Sequence, residues 1–367
     1  MIFYGLLFFS CVLVAVLGCL NCIPPESFKE VKQPRAGRGI GRVAIVYSQR
    51  YQVDLGGLEK LHSFDIRKYG KIYLKLVTDG HIAPADVFVP DELTREQILL
   101  VHTDGFLASL DDSKNVARYL EAPYVALMPA SAVDSGILKP MRYAAGGTIL
   151  AGREAIKHGI AINIGGGFHH AKPDAGEGFN VYADIAIAIR ELRRQGLIRR
   201  ALVVDLDVHQ GNGTAVIFAG DDDVFTFSMH QRDIYPIPKA VSDLDVELDR
   251  GADDETYLKL LAEHLPKVFD AARPDIVFLQ AGCDTLDGDP LAGLAMTAGG
   301  IVRRDAMVID ECVRRGVPVA MTLGGGYSRD AWAVQYESIL GTIRRYGLPA
   351  RAASPRKPDI KERFYTK

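Results

Sequence analysis

Residues 201–213 read Ala-Leu-Val-Val-Asp-Leu-Asp-Val-His-Gln-Gly-Asn-Gly. The first four side chains are apolar with no polar alternate, the pattern of a short strand buried on both faces of a parallel sheet. Acidic and histidine side chains begin where such a strand would end. In open α/β sheets, ligands bind beyond the carboxyl ends of the strands, so chemistry is expected at this point. Asp207 and His209 lie two apart on an extended segment and so point the same way. Asp205 shares that parity but sits deeper in the strand, which suits it to orient a neighbour or to touch a monovalent cation.

Similar apolar runs lie at Val43–Tyr47, Ala161–Ile164, Val224–Met229, Ile276–Leu279 and Val317–Leu323. Helical patterns lie at Asp65–Val77, Tyr143–Lys157, Val181–Gln195, Glu255–Ala272, Ala298–Arg315 and Ala331–Tyr346. This alternation predicts an α/β fold: a single doubly wound domain over residues 41–348 with a central, mainly parallel sheet. The chain has 367 residues and 48% hydrophobic content, enough for one substantial core. Three further polar clusters follow predicted strands: His169-His170 after Ala161–Ile164, Asp284 after Ile276–Leu279, and Tyr327 after Val317–Leu323. Four independent clusters on one rim form a stronger signal than any one of them.

Asp207, His209 and Asp284 offer two oxygens and one nitrogen, a ligand set that leaves an open position on a catalytic zinc ion. Alone, the Asp-Leu-Asp-Val-His segment is more often a polar strand end than a metal site; Asp284, in a strand-end turn of its own, shifts that balance. Adjacent histidines after Gly165-Gly-Gly-Phe are a poor choice for packing, because two imidazoles need partners in a crowded turn. They read as a general base and acid, with metal ligation by one of them the alternative. An isolated tyrosine is usually a core aromatic. Tyr327 instead follows Gly324-Gly-Gly, where a backbone can approach a substrate closely and a phenol can donate to an oxyanion. Neither glycine run continues into a phosphate-binding pattern; both read as walls of a narrow channel. Metal, proton shuttle and oxyanion donor together are the parts of a metal-assisted amide hydrolase.

A net charge of −3 and a pI near 6.3 argue against nucleic acid as a partner, since phosphate contact needs a basic face. Of the five cysteines, Cys11, Cys19 and Cys22 fall in or beside an apolar leader, and Cys283 and Cys312 belong to no CxxC pair. Disulfide, zinc-ribbon and redox frameworks are therefore not expected. His62 and His102 are expected to steady loops near the site, and His81, His158 and His264 to be ordinary surface or helix-end residues.

Residues 1–25 carry no charge, and Ile2–Leu20 is almost wholly apolar, long enough to cross a bilayer as a helix. Val16-Leu-Gly-Cys19 resembles a bacterial lipoprotein processing box. The absence of Lys or Arg at the very start argues against a secretory signal. Lys29, Lys32, Arg35, Arg38 and Arg42 follow the run instead, which would hold the body of an uncleaved anchor in the cytoplasm. The expectation is attachment to a bacterial membrane as a lipoprotein or through an anchor, or export. A cytoplasmic protein is expected if the leader is a mis-assigned start. Residues 26–40 read as a linker and 349–367 as a loosely packed tail.

The segments GGGFHHA (165–171), GEGFNVYADIAIAI (176–189), VVDLDVHQGNGT (203–214), AGCDTLDGDPLAGL (281–294) and LGGGYSRDA (323–331) together resemble the zinc-dependent histone deacetylase family on the arginase–deacetylase fold. HQGNG, the earlier GLEKLHSFDIRKYGKI (57–72) and the Asp233–Pro236 segment DIYP are most similar to its class IV branch. The resemblance runs through nearly the whole predicted domain. It implies zinc, with ferrous iron as the alternative, on Asp207, His209 and Asp284. It implies His170 as main general base and acid, oriented by Asn212, and His169 as its electrostatic partner, oriented by Asp205. Tyr327 would polarise the acyl carbonyl. A structural potassium ion would sit near Asp205, Asp207 and His209, with Ser228 and Met229. Gly178 and Phe179, with Gly325 and Gly326, would line an acyl-lysine tunnel.

Two positions depart from the family pattern. Asn212 stands where most other classes carry aspartate, and a neutral amide supports an imidazolium less well. Asn180 stands where relatives often have cysteine. The implied substrates are acylated lysine peptides or small acylated amines, with long fatty acyl groups a feature of the class IV branch. Nucleosomal histones are not expected targets of a chain whose leader looks bacterial. Two rivals are an arginase-like ureohydrolase with two manganese ions, for which HQGNG lacks a further acidic ligand, and a non-catalytic acyl-lysine binding module, which has no need for both phenol and shuttle.

Overall fold

The apolar runs that end in polar residues become neighbouring strands. The computed structural model describes residues 42–349; the expected leader and linker, and the tail from residue 350, lie outside them. Eight strands form one sheet: β1 (Arg42–Val46), β2 (Val87–Phe88), β3 (Gly159–Asn163), β4 (Ala201–Asp205), β5 (Val224–Gln231), β6 (Leu244–Leu248), β7 (Ile276–Gln280) and β8 (Val319–Thr322). Their order is β2-β1-β3-β8-β7-β4-β5-β6, and every pairing is parallel. β3, β4, β7 and β8 occupy the middle, and the side chains of β4, β7 and β8 are buried throughout. The register sets Asp205 opposite Ser228 on one side and Gln280 on the other, so the polar ends of three strands line up.

The main helices are α1 (Lys68–Thr78), α2 (Lys139–His158), α3 (Asp184–Arg194), α4 (Asn212–Phe218), α5 (Asp254–Ala272), α6 (Ala298–Arg315) and α7 (Ala331–Tyr346). By their mutual contacts α2, α3 and α4 form one group, and α1, α7, α6 and α5 another, which is the doubly wound arrangement. Local signals define their ends. The Thr297 hydroxyl accepts from Gly300 N at the start of α6, and Gly316 closes that helix in the left-handed region at φ 68°. All of the described residues belong to one compact unit. No helix among them is long and apolar enough to cross a membrane.

Two strands and one stretch of chain differ from the sequence reading. β6 is an edge strand whose burial alternates toward its end, so it carries no continuous apolar run. β2 is two residues long, below the length at which a pattern shows. Between β2 and α2 the chain forms short helical segments, among them Arg95–Ile98, Asp104–Ser109 and Ser113–Tyr119.

Both glycine runs are needed where the strands end. After β3, Gly166 and Gly167 take φ values of 70° and 87°, open to glycine at no steric cost. A Cβ on Gly167 would overlap Gln280 Oε1 and the backbone of Gly324. The two runs therefore lie backbone to backbone, with Leu323 N donating to Gly165 O at 3.3 Å and Gly324 N to Gly166 O at 3.2 Å.

Candidate active site

The chain stays extended beyond β4 and turns Asp207 and His209 toward Asp284, which follows β7. Three backbone amides hold the carboxylates in place: His209 N donates to Asp207 Oδ1 at 3.1 Å, Gly325 N to Asp207 Oδ2 at 2.8 Å, and Val208 N to Asp284 Oδ1 at 2.9 Å. The free sides converge, with His209 Nδ1 3.2 Å from both Asp207 Oδ1 and Asp284 Oδ2. One donor atom from each of the three residues lies within 4.8 Å of the others, and all three residues are buried. Burial and the Asp207 charge push Asp284 up to about 7. Burial lowers the proton affinity of His209, but hydrogen bonds and charge from Asp207 and Asp284 outweigh it and raise the group to about 10. The space between the donors thus attracts positive charge, and a dication that displaces those protons fits the set.

The two histidines differ because their partners differ. Asp184, at the start of α3, holds the turn before them, accepting from Gly167 N at 2.9 Å and Phe168 N at 2.7 Å. His169 Nδ1 lies 2.7 Å from Asp205 Oδ2, and its Nε2 lies 3.8 Å from Asp207 Oδ1. Burial would lower its proton affinity, but the Asp205 and Asp207 charges dominate and raise it to about 9. His170 Nδ1 lies 2.7 Å from Asn212 Oδ1, and its backbone N donates to Asn180 Oδ1 at 2.9 Å. Burial, then the neighbouring His169 and His209, push His170 well below the usual imidazole range. A neutral His170 that donates Nδ1–H to Asn212 keeps the Nε2 lone pair free.

Tyr327 is placed by its backbone, whose N donates to Asp289 Oδ2 at 2.8 Å. Its ring meets Phe64, Phe179 and His209 edge to face at 5.9, 5.9 and 6.1 Å. Burial and the nearby Asp284 and Asp207 charges push its phenol up, so at neutral pH it is a donor. The glycine run before it is tied down by the buried Lys68, whose ammonium donates to Gly324 O at 2.8 Å and Gly325 O at 2.9 Å. That ammonium also lies 4.5 Å from the centre of the Phe64 ring.

Gly178 and Phe179 form a tight turn with φ values of 53° and 68°, closed by Glu177 N to Asn180 O at 3.0 Å and Asn180 N to Glu177 O at 2.9 Å. The turn brings Gly178 against the His170 ring and sets Phe179 edge-on to His62 at 4.7 Å. A pocket opens between Phe179, Tyr327, His169, His170 and Asp207, and continues among apolar side chains that include Leu55, Phe64 and Met141. Gly325 borders it. Gly326 follows Gly325 and packs on the start of α7, where a Cβ would overlap the Cys283 sulfur and crowd Ala331. Ser228 and Met229 are buried on β5 beside Asp205, and Ser228 Oγ lies 2.9 Å from His230 Nδ1.

The structure therefore gathers His169, His170, Asp205, Asp207, His209, Asn212, Asp284 and Tyr327 into one site. His62 and His102 are bonded to the loops beside it, through Leu120 O at 2.8 Å and Ala183 N at 3.0 Å. Sequence reasoning missed Lys68, Asp184, Asp289, Glu177, Tyr235 and His230. Glu177 and Asp184 lie inside GEGFNVYADIAIAI, Lys68 inside GLEKLHSFDIRKYGKI, Asp289 inside AGCDTLDGDPLAGL and Tyr235 inside DIYP, so their positions within those segments were the one signal the sequence offered for them. The partners of Lys68 are more than 250 positions away, and no local pattern points to them.

Comparison with known proteins gives consistent matches. Residues 62–343 match the histone deacetylase domain. An uncharacterized protein of Picosynechococcus sp. is 40% identical over 282 residues, which cover 76% of this chain and 91% of that protein. Histone deacetylase 2 of Arabidopsis thaliana is 37% identical over 312 residues, covering 84% of this chain and 80% of that protein. Among solved structures, the crystal structure of the HDA15 HD domain matches with a TM-score of 0.68 over 85% of this chain and 91% of that one, at 21% identity, a likeness of fold.

Proposed function

The chain belongs to the histone deacetylase family and is a hydrolytic deacetylase, and from that premise we propose that it removes acyl groups from lysine side chains or related acylated amines with the help of one zinc ion. The observation that carries this reading is the convergence at one site of three buried residues whose donor atoms could hold a metal, an imidazole held neutral and a protonated phenol. Asp207, His209 and Asp284 would hold the zinc, with ferrous iron the rival ion. Asp205, Asp207 and His209, with Ser228 and Met229, would hold a potassium ion. When bound, the divalent ion supplies a Lewis acid that polarises the acyl carbonyl and makes water more acidic.

The protein's own groups carry the proton traffic. Neutral His170, anchored through Nδ1 to Asn212, accepts the proton of the attacking water at Nε2 and returns it to the departing amine. Tyr327 donates a hydrogen bond to the carbonyl oxygen as negative charge develops there. His169, held by Asp205, adds electrostatic support beside His170. Gly178 and Phe179 on one side and Gly325 on the other guide the acylated side chain inward.

Beyond the site the pocket continues among apolar side chains, Leu55, Phe64, Ile137 and Met141 among them, a lining that suits an acyl chain. Together with the class IV-like sequence, this supports acyl groups longer than acetyl. The apolar leader would attach the enzyme to a bacterial membrane, near lipid-derived acyl groups. A two-metal ureohydrolase is less well supported: among the described residues one ligand cluster is present, and it offers three side chains.

The full chain, loaded with zinc, should release free lysine from peptides carrying acetyl to myristoyl groups, and Tyr327→Phe should slow the release by about a hundredfold to a thousandfold. No release across the panel, with zinc bound stoichiometrically, would overturn the reading.

A further inference from the structure

Asn212 differs from an aspartate in a way that matters to His170. An amide has an acceptor at one end and two donors at the other, so a half-turn of the group would set a donor against His170 Nδ1–H. A carboxylate has no such problem, because its two ends are alike. Asn212 therefore needs a neighbour that chooses its orientation.

That neighbour is present. Asn212 Nδ2 donates to Glu177 Oε1 at 2.5 Å, while Asn212 Oδ1 faces His170 Nδ1 at 2.7 Å. A carboxylate only accepts, so Glu177 takes the NH₂ end and rejects the oxygen. The other groups bonded to it are donors as well: the Tyr235 hydroxyl reaches Oε1 at 2.7 Å, and the Lys172 ammonium reaches Oε2 at 2.6 Å. Burial would raise its proton affinity, but these three hydrogen bonds outweigh burial and lower it, so the carboxylate is ionised. The Tyr235 ring stands edge-on to His170 at 5.0 Å, so the same carboxylate also holds the cover of the imidazole. The turn through Gly178 and Phe179 places Glu177 there.

Resting on the deacylase reading above, we propose that Glu177 is a positioning residue: it orients the Asn212 amide and so fixes His170 as the Nδ1–H tautomer, with Nε2 free to exchange a proton with substrate. A carboxylate at position 212 does not need this selector and conflicts with it. Asn212→Asp in the native background sets two carboxylates against each other at hydrogen-bond distance.

The test uses the full zinc-loaded chain and the variants Glu177→Ala, Asn212→Asp and Asn212→Asp/Glu177→Gln. Zinc content and melting temperature are measured for each, so that loss of fold is seen as such. Glu177→Ala should lower kcat about tenfold to a hundredfold with KM within about twofold of native. Histidine-selective ¹⁵N NMR should show His170 leaving the pure Nδ1–H tautomer in that variant. Asn212→Asp should also be impaired, and the double variant should recover to within about threefold of native, because the amide introduced at position 177 donates to the carboxylate introduced at position 212. An unchanged tautomer and kcat in Glu177→Ala, or a double variant no better than Asn212→Asp, would overturn the proposal. A native chain that shows the Nδ1–H tautomer, loses it in Glu177→Ala and hydrolyses no acyl-lysine would support the positioning role and overturn the deacylase reading instead.

Discussion

Tyr327 and Gly325 stand two positions apart, and each makes a separate demand on the site. The Tyr327 phenol is argued to donate to an oxygen whose charge grows during the reaction. Tyr327→Phe should then lower kcat by about a hundredfold to a thousandfold, with KM, zinc content and melting temperature near native by steady-state kinetics, metal analysis and thermal unfolding. Gly325 has the opposite part, to contribute no side chain. A Cβ there would overlap the Asp284 and Asp207 carboxylates, so Gly325→Ala should weaken zinc binding by about tenfold or more in a competitive chelator titration. Asp205, Asp207, His209, Asp284 and the histidine pair were legible in the sequence because polar side chains at the ends of buried strands have few structural uses. Glu177 and Lys68 were not, because what they do depends on partners brought close only by the fold: Glu177 meets Asn212 across 35 positions, and Lys68 meets Gly324 across 256.

At the scale of elements, the site stands on strands whose stability is independent of its chemistry. β7 presents Asp284 and is wholly buried, with Leu279 at 0% exposure against β4 and β8. Leu279→Ala should cost about 2–5 kcal/mol of stability by denaturant unfolding, while the fraction that remains folded binds one zinc per chain. The middle strands could be read from the sequence because burial on both faces leaves an unbroken apolar run. β6 and β2 could not, since an edge strand alternates and a two-residue strand has no period. The segment between β2 and α2 escaped for a related reason. Its short helical segments lack the length over which a helical period shows, yet Leu120, Val125 and Ile137 from this region line the pocket. The polar residues of the site were thus clearer in the sequence than the apolar walls of the pocket.

For the molecule as a whole, metal binding and proton binding compete for the same atoms. A dication needs Asp284 and His209 deprotonated, and they hold their protons up to about 7 and about 10. Affinity for zinc should therefore rise with pH: by about tenfold per unit between 7 and 10, where one proton is displaced, and more steeply below 7, where two are. Isothermal titration in buffers of different ionisation enthalpy reads the released protons directly. Zinc should also stabilise the folded chain, by about 2.7 kcal/mol at a free concentration a hundred times its dissociation constant. The parallel sheet and its doubly wound class were within reach of the sequence because they follow from the alternation of buried apolar runs with helical patterns, and the family was within reach through the resemblance that the residues after those runs carry. The central claim is that one divalent ion on Asp207, His209 and Asp284 is required for hydrolysis of acyl-lysine. It is tested most directly by removing metal from the full chain, adding zinc back and following lysine release beside Asp284→Asn. One zinc per chain, activity lost and then regained, and an inactive Asp284→Asn with weakened zinc binding are the predicted results; a metal-free chain that hydrolyses at the native rate, or an Asp284→Asn variant that binds zinc and turns over like native, would contradict it.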